Sequence, residues 1–131
     1  MAYTKRIEIR WRDMDGFGHV NNAVYLTYLE EARDEFYTRV LGHDTVARCV
    51  ARRVEIDFDS GLTQEDDEVD VVLEIVGIGT SSVTTREQIV ARSDGRVAAR
   101  ATSVMVHCDG DRERAAPLPD AARQALEEAS A

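Results

Sequence analysis

Arg12-Asp13-Met14-Asp15-Gly16-Phe17-Gly18-His19-Val20-Asn21-Asn22 decides how this chain is read. The stretch packs acids, glycines, a histidine and an asparagine pair into the handover from a strand to a long helix. Glycines let backbone pass close to a ligand and take turn angles closed to other residues. A helix start presents unpaired N–H groups and the positive end of a dipole, which together suit an oxyanion. A carboxylate beside such a start can act as base or nucleophile while the N–H groups stabilise developing negative charge. These residue types point to hydrolytic chemistry on an acyl group, with Asp15 as the carboxylate. The competing reading of Asp15 is a turn residue, because Asp before Gly is ordinary turn chemistry.

Working outward, Ile7, Ile9 and Trp11 alternate with Arg6, Glu8, Arg10 and Arg12, the period of a half-buried strand. On the other side Tyr25, Tyr28, Leu29, Ala32, Phe36 and Val40 recur at helical spacing. They fill an arc of roughly 120°, and Glu30, Glu31, Arg33 and Asp34 fall outside it, on the face expected to meet solvent. Asn21 or Asn22 is the expected N-cap and Gly42 the expected stop, for a helix of about 18–20 residues. Beyond residue 48 the pattern is β. Val50, Val54, Ile56 and Phe58 alternate with charged residues, and further strands are expected over 69–78, 80–92 and 97–108. Ser93-Asp94-Gly95 marks a hairpin. Pro117-Leu118-Pro119 stops the sheet, and Asp120 is expected to cap a tail helix ending near Glu128. The fold class is α+β: an antiparallel sheet of about five strands wrapped around one long helix. One helix covers only part of such a sheet, so a symmetric dimer at least is expected.

The 131 residues suit one domain, 1–131, with a continuous core. A net charge of −9 argues against general nucleic-acid binding and against docking on anionic membranes. Lys5 is the only lysine among 16 cationic residues. Cys49 and Cys108 show no paired motif and no zinc spacing, so both are expected as reduced thiols. The N-terminus lacks an apolar signal core and no stretch approaches membrane-spanning length, which implies a cytoplasmic protein. His43 is expected at the surface, and His107 in a strand with no metal role.

The Arg12–Asn22 segment, followed by Tyr25-Leu26-Thr27-Tyr28-Leu29-Glu30-Glu31-Ala32-Arg33, resembles the hot-dog-fold acyl-CoA thioesterases, above all the 4-hydroxybenzoyl-CoA thioesterase family. Val54-Glu55-Ile56-Asp57-Phe58, Gly79-Thr80-Ser81-Ser82-Val83 and Pro117-Leu118-Pro119 carry the resemblance along nearly the whole chain. It implies a hot-dog fold and hydrolysis of an acyl-CoA to a carboxylic acid and CoA, without metal or redox cofactor. Asp15 is then the nucleophile or general base, and the backbone N–H at or beside Asn22 polarises the thioester carbonyl. Pantetheine would thread a slot between subunits of a homodimer or homotetramer, with Thr80, Ser81 and Ser82 toward its nucleotide end. Tyr25 is the helix aromatic best placed to touch substrate, although its spacing also suits core packing.

His19 has two readings. The pattern is similar to plant-type acyl-carrier-protein thioesterases, in which a His here is catalytic, yet Phe17 stands where that family has Asn. Ordering the loop is the other role open to His19, and to Asp13. Hot-dog hydratases carry an Asp-x-Asn-Pro-x-His run that is missing here, which disfavours hydration. Relatives with a basic residue just before the matching serine meet the CoA phosphates with it. The run Val76-Gly77-Ile78-Gly79-Thr80-Ser81-Ser82 has none, leaving Arg53, Arg86, Arg92 or Arg100 as candidates. The alternatives to an acyl-CoA hydrolase are an acyl-carrier-protein thioesterase and a non-catalytic acyl-thioester-binding module.

Overall fold

A computed structural model describes residues 2–111 and 114–131. The elements run β1 (Tyr3–Glu8), α1 (Asn22–Leu41), the short α2 (His43–Val46), β2 (Cys49–Phe58), β3 (Glu68–Ile78), β4 (Ser82–Ala91), β5 (Val97–His107) and α3 (Asp120–Ser130). The five strands form one antiparallel sheet in the order β1-β3-β4-β5-β2, the α+β arrangement expected. Register shifts at Ala51/Arg53, Ile75/Gly77 and Ile89/Val90 let the sheet curl about α1.

Inward residues alternate along each strand, Val69, Val71 and Leu73 on β3 and Val83, Thr85, Glu87, Ile89 and Ala91 on β4. Toward the N-terminal half of α1 they pack with Ile7, Ile9, Val20, Tyr25, Tyr28 and Leu29. Toward its C-terminal half Leu73 and Val83 join Phe36, Tyr37, Leu118 and Leu126, the last supplied by α3.

Three sequence expectations need correcting. Arg33 does not face solvent: its guanidinium is buried against Glu87, with Nη1 donating to Glu87 Oε1 at 3.1 Å and to Ser103 Oγ at 3.0 Å. Ser103 and Thr85 each donate a hydroxyl to the same carboxylate, so a polar layer separates the two apolar clusters. The first strand ends at Glu8 rather than continuing to Trp11, because residues 11–13 form a single 3-10 turn that leaves Trp11 78% exposed. Asp120 opens α3 but does not cap it; Pro119 holds the cap position without a side-chain bond, and the helix runs to Ser130. His43 is exposed as expected. His107 is buried, its Nδ1 3.1 Å from the Ala116 carbonyl oxygen. Both cysteines are free thiols, and among the described residues no helix is long and apolar enough to cross a membrane.

Candidate active site

The loop between β1 and α1 folds on itself through its own polar groups. The Asp15 N–H donates to the His19 carbonyl at 2.9 Å, and the Gly18 N–H donates to the Asp15 carbonyl at 3.1 Å. This tight return needs Gly18 at φ +81°, a left-handed angle that side chains resist. The Val20 N–H donates to the Leu62 carbonyl at 2.8 Å, which ties the loop to the segment after β2. The Asn21 N–H donates to the Asp13 carbonyl at 2.9 Å.

Asp13 and Asp15 are used differently. Asp13 is buried, and its Oδ2 accepts the Arg10 N–H at 2.9 Å and the Tyr28 hydroxyl at 2.7 Å. Burial and the bond to Asp13 push the Tyr28 phenol well above its ordinary range, so it stays a donor. Asp13 therefore anchors the loop to α1. Asp15 is half-buried. Its Oδ1 accepts the Phe17 N–H at 2.9 Å in an Asx turn, and its Oδ2 takes a long contact, 3.4 Å, from the Asn21 amide. Both oxygens are steered by donors weak or exposed enough to leave lone pairs for a ligand.

Asn21 is the N-cap: its Oδ1 accepts the Ala23 N–H at 2.8 Å. Asn22 is the first helical residue, where an N–H has no intrahelical acceptor, and none is supplied among the described residues. A donor at the positive end of a 20-residue helix thus stands one residue from the amide that touches Asp15. Tyr25 follows one turn later, buried, with its hydroxyl donating to the Ser60 carbonyl at 3.1 Å and its ring edge-on to Phe58 at 5.3 Å. Trp11, Phe17, Leu26 and Phe58 are exposed on or beside this loop and helix start. His19 presents its carbonyl to Asp15 while its imidazole lies on Gly61, where a Cβ would come within 3.0 Å of His19 Cδ2. No hydrogen bond joins that imidazole to Asp15 among the described residues.

Thr80, Ser81 and Ser82 are not beside this loop. They form the turn from β3 into β4, whereas the opposite end of β4 meets the β4–β5 hairpin near residues 61–66. Ten residues of strand separate the two ends, about 30 Å. The arginines weighed as phosphate contacts are each matched to an acid: Arg53 to Glu55, Arg86 to Glu74, Arg92 to Asp70 and Arg100 to Asp59. Sequence reading missed Arg123. From α3 it donates through Nη2 to the carbonyls of Gly79 at 2.7 Å and Thr80 at 3.2 Å, and it forms no ion pair among the described residues. No motif spans that separation; the only signal was an arginine one turn past the helix-opening Pro119-Asp120.

The profile of the thioesterase-like superfamily matches residues 9–126. Among solved structures, a thioesterase from Thermus thermophilus, complexed with coenzyme A and Zn, is 35% identical, covers 97% of this chain and 92% of its own, and superposes with a TM-score of 0.87. A predicted thioesterase from Bacillus stearothermophilus is 29% identical over 100% of this chain and 98% of its own, at a TM-score of 0.89. A 1,4-dihydroxy-2-naphthoyl-CoA thioesterase from Synechocystis shares the fold at 19% identity, over 98% of this chain and 97% of its own, with a TM-score of 0.84. None of the curated proteins matches.

Proposed function

The chain belongs to the thioesterase-like superfamily, on the hot-dog fold, and from that premise we propose that it is an acyl-CoA thioesterase of the 4-hydroxybenzoyl-CoA thioesterase type. The observation that carries this reading is the half-buried Asp15 carboxylate, held by Phe17 and Asn21 beside the unpaired N–H that opens α1.

The thioester carbonyl oxygen accepts the Asn22 N–H, and the dipole of α1 favours the negative charge that grows on it. Asp15 acts on the carbonyl carbon in one of two ways. As a general base it takes a proton from a water whose oxygen bonds to that carbon. As a nucleophile it forms an anhydride that water then opens. In both, the C–S bond breaks, CoA leaves as the thiolate and takes up a proton, and the acyl group leaves as a carboxylic acid. His19 keeps the loop in register through its carbonyl. The exposed Phe58, backed by the buried Tyr25 ring, supplies apolar surface to the acyl group.

Each site takes residues from two protomers. The separation of about 30 Å between the 79–82 turn and the Asp15 end of β4 supports this, as does the outer edge of β2, which no strand pairs among the described residues and whose terminal Phe58 is 48% exposed. In a homodimer the partner's turn carries Thr80, Ser81 and Ser82 to the pantetheine arm. Arg123, beside that turn and without a carboxylate partner among the described residues, meets the phosphates. The free thiols of Cys49 and Cys108 favour a reducing, cytoplasmic setting.

The test is release of free thiol from a panel of acyl-CoAs by wild type and Asp15→Asn. Turnover that falls at least about 100-fold in the variant supports carboxylate catalysis. Equal activity in both sinks the role of Asp15. No release from any CoA thioester, with both proteins folded, turns the reading to carrier-protein substrates or to a binding module.

A further inference from the structure

We propose that Arg96, far from the Asp15 loop in sequence and absent from the chemistry, is a positioning residue that braces that loop through the carbonyl of Gly61. The inference rests on the reading of Asp15 as the reacting carboxylate.

Residues 60–62 form a single support under the loop and the start of α1. The Ser60 carbonyl accepts the Tyr25 hydroxyl at 3.1 Å, Gly61 lies against the His19 ring, and the Leu62 carbonyl accepts the Val20 N–H at 2.8 Å. Leu62 is itself fully buried. The support has no regular secondary structure of its own; Ser60 is tied to the start of β5 by its N–H to the Ala98 carbonyl at 3.1 Å, and Gly61 is left to be held from outside. Arg96 does this: its Nη2 donates to the Gly61 carbonyl at 2.7 Å, at the middle of the three residues.

The guanidinium is in turn fixed from two sides. Asp66 accepts from Nη2 at 2.9 Å and from Nη1 at 3.1 Å, and Asp94 accepts from Nη1 at 2.9 Å. Asp66 also accepts the Ser93 hydroxyl and the Thr63 N–H, so the 3-10 turn 64–66 and the hairpin at 93–96 are locked to one another. The planar fork reaches the Gly61 carbonyl and both carboxylates from two separate nitrogens held in fixed geometry, which the single ammonium nitrogen of lysine matches only in part. Removing Arg96 frees Gly61 to shift, and with it His19 and Val20, the two residues that follow the turn that holds Asp15, of which His19 accepts the Asp15 N–H. A displacement of about 1 Å at a reacting group can cost on the order of 100-fold in rate.

The experiment compares wild type, Arg96→Ala, Arg96→Lys and Asp15→Asn by steady-state kinetics on an accepted acyl-CoA, and by amide hydrogen exchange at Val20. Arg96→Ala is expected to lower kcat roughly 10-fold or more with little change in KM. The Val20 amide should exchange faster in that variant. Millimolar guanidinium chloride, against sodium chloride, should restore part of kcat, and Arg96→Lys should fall between wild type and Arg96→Ala. Unchanged kcat and unchanged Val20 exchange in Arg96→Ala overturn the proposal. So does a loss of activity that follows only the unfolded fraction and does not respond to guanidinium. Should Asp15→Asn keep full activity, the catalytic reading fails by itself, and Val20 exchange still decides whether Arg96 braces the loop.

Discussion

Replacing Arg33 with Met tests the account of the core most directly. The Arg33 side chain is 8% exposed and that of Glu87 is fully buried, so the pair sits away from water. In the variant Glu87 keeps the Ser103 and Thr85 hydroxyls, at 2.8 and 3.0 Å, but loses its only counter-charge among the described residues. Breaking a buried pair by removing one partner costs about 3–5 kcal/mol, because the remaining charge is left desolvated. An unfolding entropy of about 2.1 cal/mol/K per residue makes roughly 0.28 kcal/mol/K for a chain of this length, so Tm should fall by about 10–18 °C. Thermal and urea unfolding followed by circular dichroism would measure it, at a fixed protomer concentration because association shifts the apparent stability. The double variant Arg33→Met/Glu87→Gln should recover much of the loss, since a neutral amide satisfies both hydroxyls without a bare charge. A cost below about 1 kcal/mol for Arg33→Met would refute the reasoning. So would a double variant that loses the full sum of the two single changes, which would mean the residues act independently.

Two further outcomes follow from the anchors of the loop. Tyr28→Phe removes the 2.7 Å bond to Asp13 and should destabilise by about 1–2 kcal/mol in urea unfolding, since it leaves a buried carboxylate oxygen with fewer donors. Asp66 is held down at about 2 by Arg96 above all, from an ordinary value of 3.8. Its folded value lies below its unfolded one, so its contribution is fully present above about pH 4 and is lost as the pH falls through 3.8 toward 2. Urea midpoints across that acid window should fall less steeply in Asp66→Asn than in wild type, and identical slopes would count against the linkage.

The parts of the fold that are written locally were legible. Period-two alternation marked the strands, helical spacing marked α1, and Asn21, Gly42 and Ser93-Asp94-Gly95 marked ends and a turn. Two of the errors share a cause. A charged residue reads as solvent-facing unless its counter-charge is known, and for Arg33 that counter-charge lies 54 residues away on β4. Trp11 continued an alternation in sequence, but the Arg10 N–H is taken by Asp13 three residues on, and the resulting 3-10 turn ends the strand.

The candidate site divides along the same line. Asp15, Gly16 and Phe17 form an Asx turn that their own order dictates, and Asn21 caps the helix by side-chain chemistry visible in one residue. Gly61, Arg96 and Arg123 touch His19, Gly61 and Gly79 from 35 to 44 positions away. None of them has a local signature, because an arginine that donates to a backbone carbonyl makes no demand on its sequence neighbours. The residues that carry chemistry must be mutually close and stereochemically exact, which a short loop satisfies by itself. The residues that hold such a loop still need only reach it, and the folded sheet supplies that reach from any strand end. Variants at Arg96 and Arg123 therefore test the folded arrangement, whereas variants at Asp15 test a reading already contained in the loop.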